Sequence, residues 1–131
     1  MFSFVKNLFK KNNFSYKDFV VDKNYIDNHY VYRMEDCICN ISSSLDKKFI
    51  EINDFCRFSY IKSLLEKGLE KGDIFYFCYS NEIFLFLVLE ITEKNKLSRD
   101  GSFISGKCIR LKTSINQELI DFIEKNPKKI N

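Results

Sequence analysis

Five cysteines, one histidine and eighteen carboxylates are the side chains of this chain with the means to hold a metal, attack a carbonyl or move a proton. Cys37 and Cys39 are two residues apart, so on a strand they point to one face. With His29 the only histidine and no second ligand pair beside it, a metal site is not expected, and both cysteines read as small buried hydrophobes. Cys56, Cys78 and Cys108 complete an odd set without a C-x-x-C pair. In the absence of a secretory leader they read as reduced thiols of a cytoplasmic protein. A nucleophile needs a base within hydrogen-bond reach, and local spacing brings His29 to no cysteine or serine. Gly68, Gly72, Gly101 and Gly106 form neither a G-x-G-x-x-G nor a P-loop pattern. A metal-dependent hydrolase or nuclease would need Asp36, Glu51 and Asp54 to converge on one pocket, whereas Glu35-Asp36 and Glu51…Asp54 fit turns and solvated faces better. These residues favour a non-enzymatic binding module, with no cofactor and no metal.

The totals set the frame for such a module. At 131 residues, 45% of them apolar and 16% aromatic, the chain is one domain with an aromatic-rich core. Twenty-one basic against eighteen acidic residues leave +3, too small and too evenly scattered to mark a nucleic-acid surface. A protein partner is expected instead.

The strongest element signal is Lys71 to Thr92. Ile74 to Tyr79 and Ile83 to Ile91 are nearly unbroken β-formers separated by Ser80-Asn81-Glu82, which reads as a hairpin. A run without polar alternation needs cover on both faces, so Ile83 to Leu89 is the expected central strand. Before it, Asp18 to Val21 and Tyr30 to Tyr32 are short β-prone pieces around the polar segment Asp22 to Asn28. Arg33 to Ser42 reads as a strand, Ser42 to Asp46 as a loop, and Lys48 to Asn53 as a returning arm with Ile50 and Ile52 inward. Phe58, Ile61, Leu64, Leu65 and Leu69 recur at three- and four-residue steps, predicting a short helix between Arg57 and Gly72. Glu93 to Asp100 reads as a charged connection, Arg99-Asp100-Gly101 as a turn, and Lys107 to Lys112 as a strand, with Gly106 at a bulge or close approach. Thr113 or Ser114 is the expected cap of a last helix with Ile115, Leu119, Phe122 and Ile123 on its buried stripe.

At the other end, Phe2, Val5, Leu8 and Phe9 share one helical stripe while Lys6, Lys10 and Lys11 lie elsewhere. Residues 1–13 therefore read as an amphipathic segment ahead of a domain at 14–131. Packing on its own domain is the favoured role. Docking on a partner or on an anionic membrane surface through residues 1–11 is the other, and would make the protein peripheral to the inner membrane. No stretch reaches the roughly 18 apolar residues of a transmembrane helix.

The order of these elements resembles a PilZ-type domain over roughly residues 15 to 125. The resemblance rests on a strand ending Asn40-Ile41-Ser42-Ser43-Ser44-Leu45, the return strand with Ile50 and Ile52, a G-D-x-F element at Gly72 to Phe75, the long apolar strand, the strand at Ser105 to Leu111 and the closing helix. Asn40-x-Ser42 matches the start of the family's [DN]-x-S-x-x-G motif, with Leu45 where the glycine belongs. The resemblance implies an α+β fold: a small six-stranded antiparallel β-barrel or curled sheet, a short internal helix and a C-terminal helix, preceded here by the N-terminal amphipathic helix. It also implies a cyclic di-GMP site. The family's R-x-x-x-R motif, however, has only Lys10, Lys11 and Lys17 in its region, and Arg33 stands too close to Asn40. Asn40, Ser42, Lys17 and Arg33 are thus the remnants of a degenerate ligand site. Lysine does not reproduce the paired guanidinium forks that grip phosphate and stack on guanine. Cyclic di-GMP binding is accordingly expected to be weak or lost, and the chain to act as a bacterial adaptor in signalling or motility by protein contact. The alternative is a small phage accessory or toxin-immunity protein that neutralises a partner.

Overall fold

The computed structural model describes residues 18–34, 39–43, 50–63, 67–99 and 101–125. The N-terminal amphipathic segment, including Lys17, lies outside them. A six-stranded sheet organises the rest, in the order β1-β4-β5-β6-β3-β2, with β1 Val31–Arg33, β2 Cys39–Ser43, β3 Phe55–Lys62, β4 Ile74–Tyr79, β5 Glu82–Ser98 and β6 Gly101–Leu111. The expected hairpin is present: Tyr79 pairs with Glu82 across Ser80 and Asn81, both at positive φ as a tight two-residue turn requires. β5 lies between β4 and β6, the central place that its apolar run predicts.

Several expectations are corrected. The sheet is mixed, because β1 pairs parallel with β4. Asp73 fixes that pairing: its carboxylate accepts from the Tyr30 and Glu70 backbone N–H groups at 2.9 Å each, while Ile74 N–H donates to the Tyr30 carbonyl. The sheet is also open: among the described residues β1 and β2 are its edge strands, and they do not pair with one another. Arg33 to Ser42 is not one strand; its ends belong to the two opposite edges. Arg57 starts no helix, because Cys56, Phe58, Tyr60 and Lys62 are buried at period two and β3 is paired on both sides, so strand alternation overrides the three- and four-residue apolar spacing. The returning arm is therefore β3. Residues 50–54 form a turn in which Ile52 is exposed and Ile50 packs against the core. Glu93 to Ser98 continues β5 and is no connection.

One helix is unexpected, and the other starts later than its sequence pattern implies. Helix α1, Lys23–Asn28, occupies the polar segment between the two β-prone pieces; Asp22 caps it by accepting from Tyr25 N–H at 2.9 Å, and Ile26 is its buried residue. Asp18 to Val21 forms no strand. Helix α2, Gln117–Lys125, buries Leu119 and Ile123 as expected, but Thr113–Ile115 is a separate 3-10 turn and Asn116 stands at the helix start.

The sheet curls strongly. Lying flat, β3 would sit three strand spacings from β4 and four from β1, about 14 and 19 Å. Instead the Phe58 and Phe75 rings are 5.1 Å apart and those of Tyr32 and Tyr60 6.1 Å. Register shifts in β5 after Val88, Ile91 and Glu93 bend the strand, and Gly106 makes the bend possible, since a Cβ there would stand 2.1 Å from the Glu90 carbonyl oxygen. The concave side holds one core, with Phe58, Tyr60, Phe75, Phe86 and Ile104 at its centre. On the convex side α1 and α2 cover Ile74, Tyr76, Leu85, Leu87, Ile109 and Leu111. Neither α1 nor α2 is long and apolar enough to cross a membrane.

Candidate functional site

Beyond that helical cover, the convex face of β2, β3 and β6 carries polar side chains. Strand alternation turns Arg57 and Ser59 outward while Cys56, Phe58 and Tyr60 enter the core. The register then builds two rows across the sheet. Asn40 faces Ser59 and Ser59 faces Ser105; one step along, Ser42 faces Arg57 and Arg57 faces Lys107. Phe55, two residues before Arg57 on the same face, is half-exposed.

The Arg57–Lys107 juxtaposition is electrostatically unfavourable as it stands. Arg110 N–H donates to the Asp54 carbonyl at 3.1 Å, so residues 54 and 110 form a hydrogen-bonded pair and, by alternation, Arg57 and Lys107 a non-hydrogen-bonded one. Side chains of such pairs stand closest, about 4.5 Å apart at Cα. Like charges directly opposite one another destabilise a ladder by about 0.2 to 1 kcal/mol. Lys107 is relieved by Glu90 at 3.7 Å, a contact exposed on both sides. Arg57 makes no ion pair among the described residues.

Arg57 separates two shallow depressions. One, of about 290 Å3, is lined by Asn40, Ile41, Ser42, Arg57, Phe58, Ser59 and Ser105. The other, of about 400 Å3, is lined by Phe55, Cys56, Arg57, Leu89, Glu90 and Lys107 and is the more apolar. The chemistry at hand is therefore charge, hydrogen bonding and one aromatic contact. On the concave side of the same strands, Cys56 and Cys108 are direct partners. A hydrogen bond from Cys108 holds the Cys56 thiol below its ordinary value, helped by Arg110 and opposed by burial and by Asp54.

The other candidate groups are committed to the fold. Arg110 donates to the Ile50 carbonyl and to Glu82 at 2.8 and 2.9 Å and lies 4.2 Å over the Phe84 ring. His29 stacks on Tyr25 and contacts the Tyr25 carbonyl. Asp54 accepts from Glu51 N–H and closes a turn. Among the described residues, no three of His, Cys, Asp and Glu gather where a metal ion could be held.

Of the residues expected to bind ligand, Asn40 and Ser42 do share one depression. Arg33 does not join them, because it stands on β1, the opposite edge strand, beside Tyr76. Lys17, and with it Phe2, Val5, Lys6, Phe9, Lys10 and Lys11, falls outside the described residues. Arg57, Ser59, Ser105 and Lys107 are additions that the sequence pattern concealed. Their signal was present in the outward alternation Phe55-x-Arg57-x-Ser59, which the helix-like apolar spacing masked. Comparison with protein families, with curated proteins and with solved structures finds no match to this chain.

Proposed function

We propose that this chain is a non-enzymatic bacterial adaptor that holds a protein partner against the convex face of β2, β3 and β6. The observation that carries the reading is the Arg57–Lys107 pair, two cations placed side by side with no acid on Arg57 among the described residues. Like charges directly opposite one another weaken a ladder and an anion from a partner would relieve them, and charge complementarity of this kind sets partner choice more than raw affinity. A degenerate PilZ-like identity fits the same face, since Asn40 and Ser42 lie on it. A cytoplasmic location and a role in signalling or motility follow from that resemblance.

The test is affinity capture from bacterial lysate with the full chain and with Arg57→Glu/Lys107→Glu. Flagellar or signalling components that disappear with the double reversal are the expected result. Recovery of a toxin or defence enzyme in their place would assign the chain to partner neutralisation. Partners retained undiminished by the reversal would exclude this face.

A further inference from the structure

Resting on the reading of this face as the binding surface, we infer that its occupant is a short acidic segment of a protein, with carboxylates on Arg57 and Lys107 and an apolar side chain on Phe55 and Leu89. The two kinds of contact adjoin, because Phe55 and Arg57 stand two residues apart on one face of β3, about 6.8 Å along the strand. The depression between them is lined by Phe55, Leu89, Arg57 and Lys107 together with Cys56 and Glu90, the acid that already pairs with Lys107 and leaves Arg57 as the stronger anion contact. An occupant must therefore present negative charge and apolar surface within one residue pair of each other.

Three other occupants fit less well. A second copy of this chain, docked face to face, would set Arg57 and Lys107 against themselves. The N-terminal segment brings Lys6, Lys10, Lys11 and Lys17 and no acid before Asp18, so it is repelled by the same cations. A nucleic-acid strand rewards a long basic track, but here two cations stand next to Glu90, and two phosphate contacts give only a shallow salt dependence, a slope of about −1.4 to −1.8. A carboxylate on Arg57 matches better, because the guanidinium fork takes both oxygens at once while Lys107 adds a second charge.

Nuclear magnetic resonance titration of the full chain tests this with three probes: a peptide of glutamates interrupted by single phenylalanines, its counterpart with serine at each phenylalanine, and single-stranded oligothymidylate of equal charge. The first peptide is expected to shift the Phe55, Arg57 and Lys107 amide resonances. Its affinity should fall about tenfold on Arg57→Gln, an exposed change that leaves the core untouched. The serine peptide should bind the wild-type chain more weakly by a similar factor. Equal binding by the two peptides, or tighter Arg57-dependent binding of oligothymidylate, overturns the acidic-apolar assignment while the face remains a binding surface. No shift at these residues with any probe overturns it too, and loss of captured partners on charge reversal then decides separately whether the face itself survives.

Discussion

At the scale of single residues, the polar atoms that matter most for folding and for binding are different ones. Arg57 brings one guanidinium to the depression that Asn40 and Ser42 share, where gripping a cyclic dinucleotide would take paired forks. Each absent charge-assisted hydrogen bond costs about 1.5 to 3 kcal/mol, so two of them lower affinity by roughly two to four orders of magnitude. Calorimetry with cyclic di-GMP is expected to show no binding at micromolar concentration, and a low-micromolar constant abolished by Ser42→Ala would restore a nucleotide-sensing role. Asn116 acts on folding. It is fully buried, accepts from Val21 N–H at 2.6 Å and donates to the Lys112 and Phe19 carbonyls, tying the start of the described chain to α2. Asn116→Ala orphans a buried N–H and should cost about 2 to 4 kcal/mol in urea unfolding; less than about 0.5 kcal/mol would mean that the tie is dispensable. Tyr76 sets a pH limit. Burial raises its phenol above the ordinary value, with Arg33 pulling the other way. The unfolded state therefore loses its proton first, near pH 10, so this stabilisation is complete below that pH and is lost as pH rises through the higher folded value. Unfolding midpoints of Tyr76→Phe should decline less steeply than wild type across that range, and parallel declines would remove Tyr76 as the cause.

Among the elements, legibility followed the source of the pattern. β5 is readable because cover on both faces leaves an unbroken apolar run, and α2 because one apolar stripe meets the sheet. Leu87 and Leu89 differ in burial: Leu87 is 4% exposed in the core under the helices, whereas Leu89 is half-buried at the rim of the second depression. Leu87→Ala should cost about 2 to 5 kcal/mol and Leu89→Ala distinctly less, and equal losses in denaturant melts would contradict this placement. β3 misled because its inward Phe58 falls into a chance helical spacing with Ile61, Leu64, Leu65 and Leu69. Only pairing with β2 and β6, invisible in local sequence, decides between the two periods. α1 was hidden for the opposite reason: six residues with a single buried side chain, Ile26, carry almost no periodic signal. The convex polar face inherits both difficulties, since Ser42, Arg57 and Lys107 come from three strands and meet only through register.

For the molecule as a whole, curvature is what makes an open sheet into a stable body. An open six-stranded sheet of this size would leave its concave face wet if it lay flat, yet Phe58, Phe75 and Phe86 are all buried there. The curl brings strands that share no hydrogen bond into contact: Phe58 on β3 meets Phe75 on β4, and Phe75 stacks on Phe86 of β5 at 5.0 Å. Bending also spreads the convex face, which separates the helix-covered half from the polar half where Arg57 stands. The contact between non-neighbouring strands is measurable. In a double-mutant cycle with Phe58→Leu and Phe75→Leu, aromatic contact beyond buried area should appear as a coupling of about 0.5 to 1.5 kcal/mol. In a flat sheet these two positions would lie about 14 Å apart and act independently, so additive losses within about 0.3 kcal/mol would reject the curled arrangement. Phe77→Leu with Phe84→Leu is the internal control. Those rings face each other across the β4–β5 hairpin at 5.2 Å, and they couple whether the sheet is curled or flat.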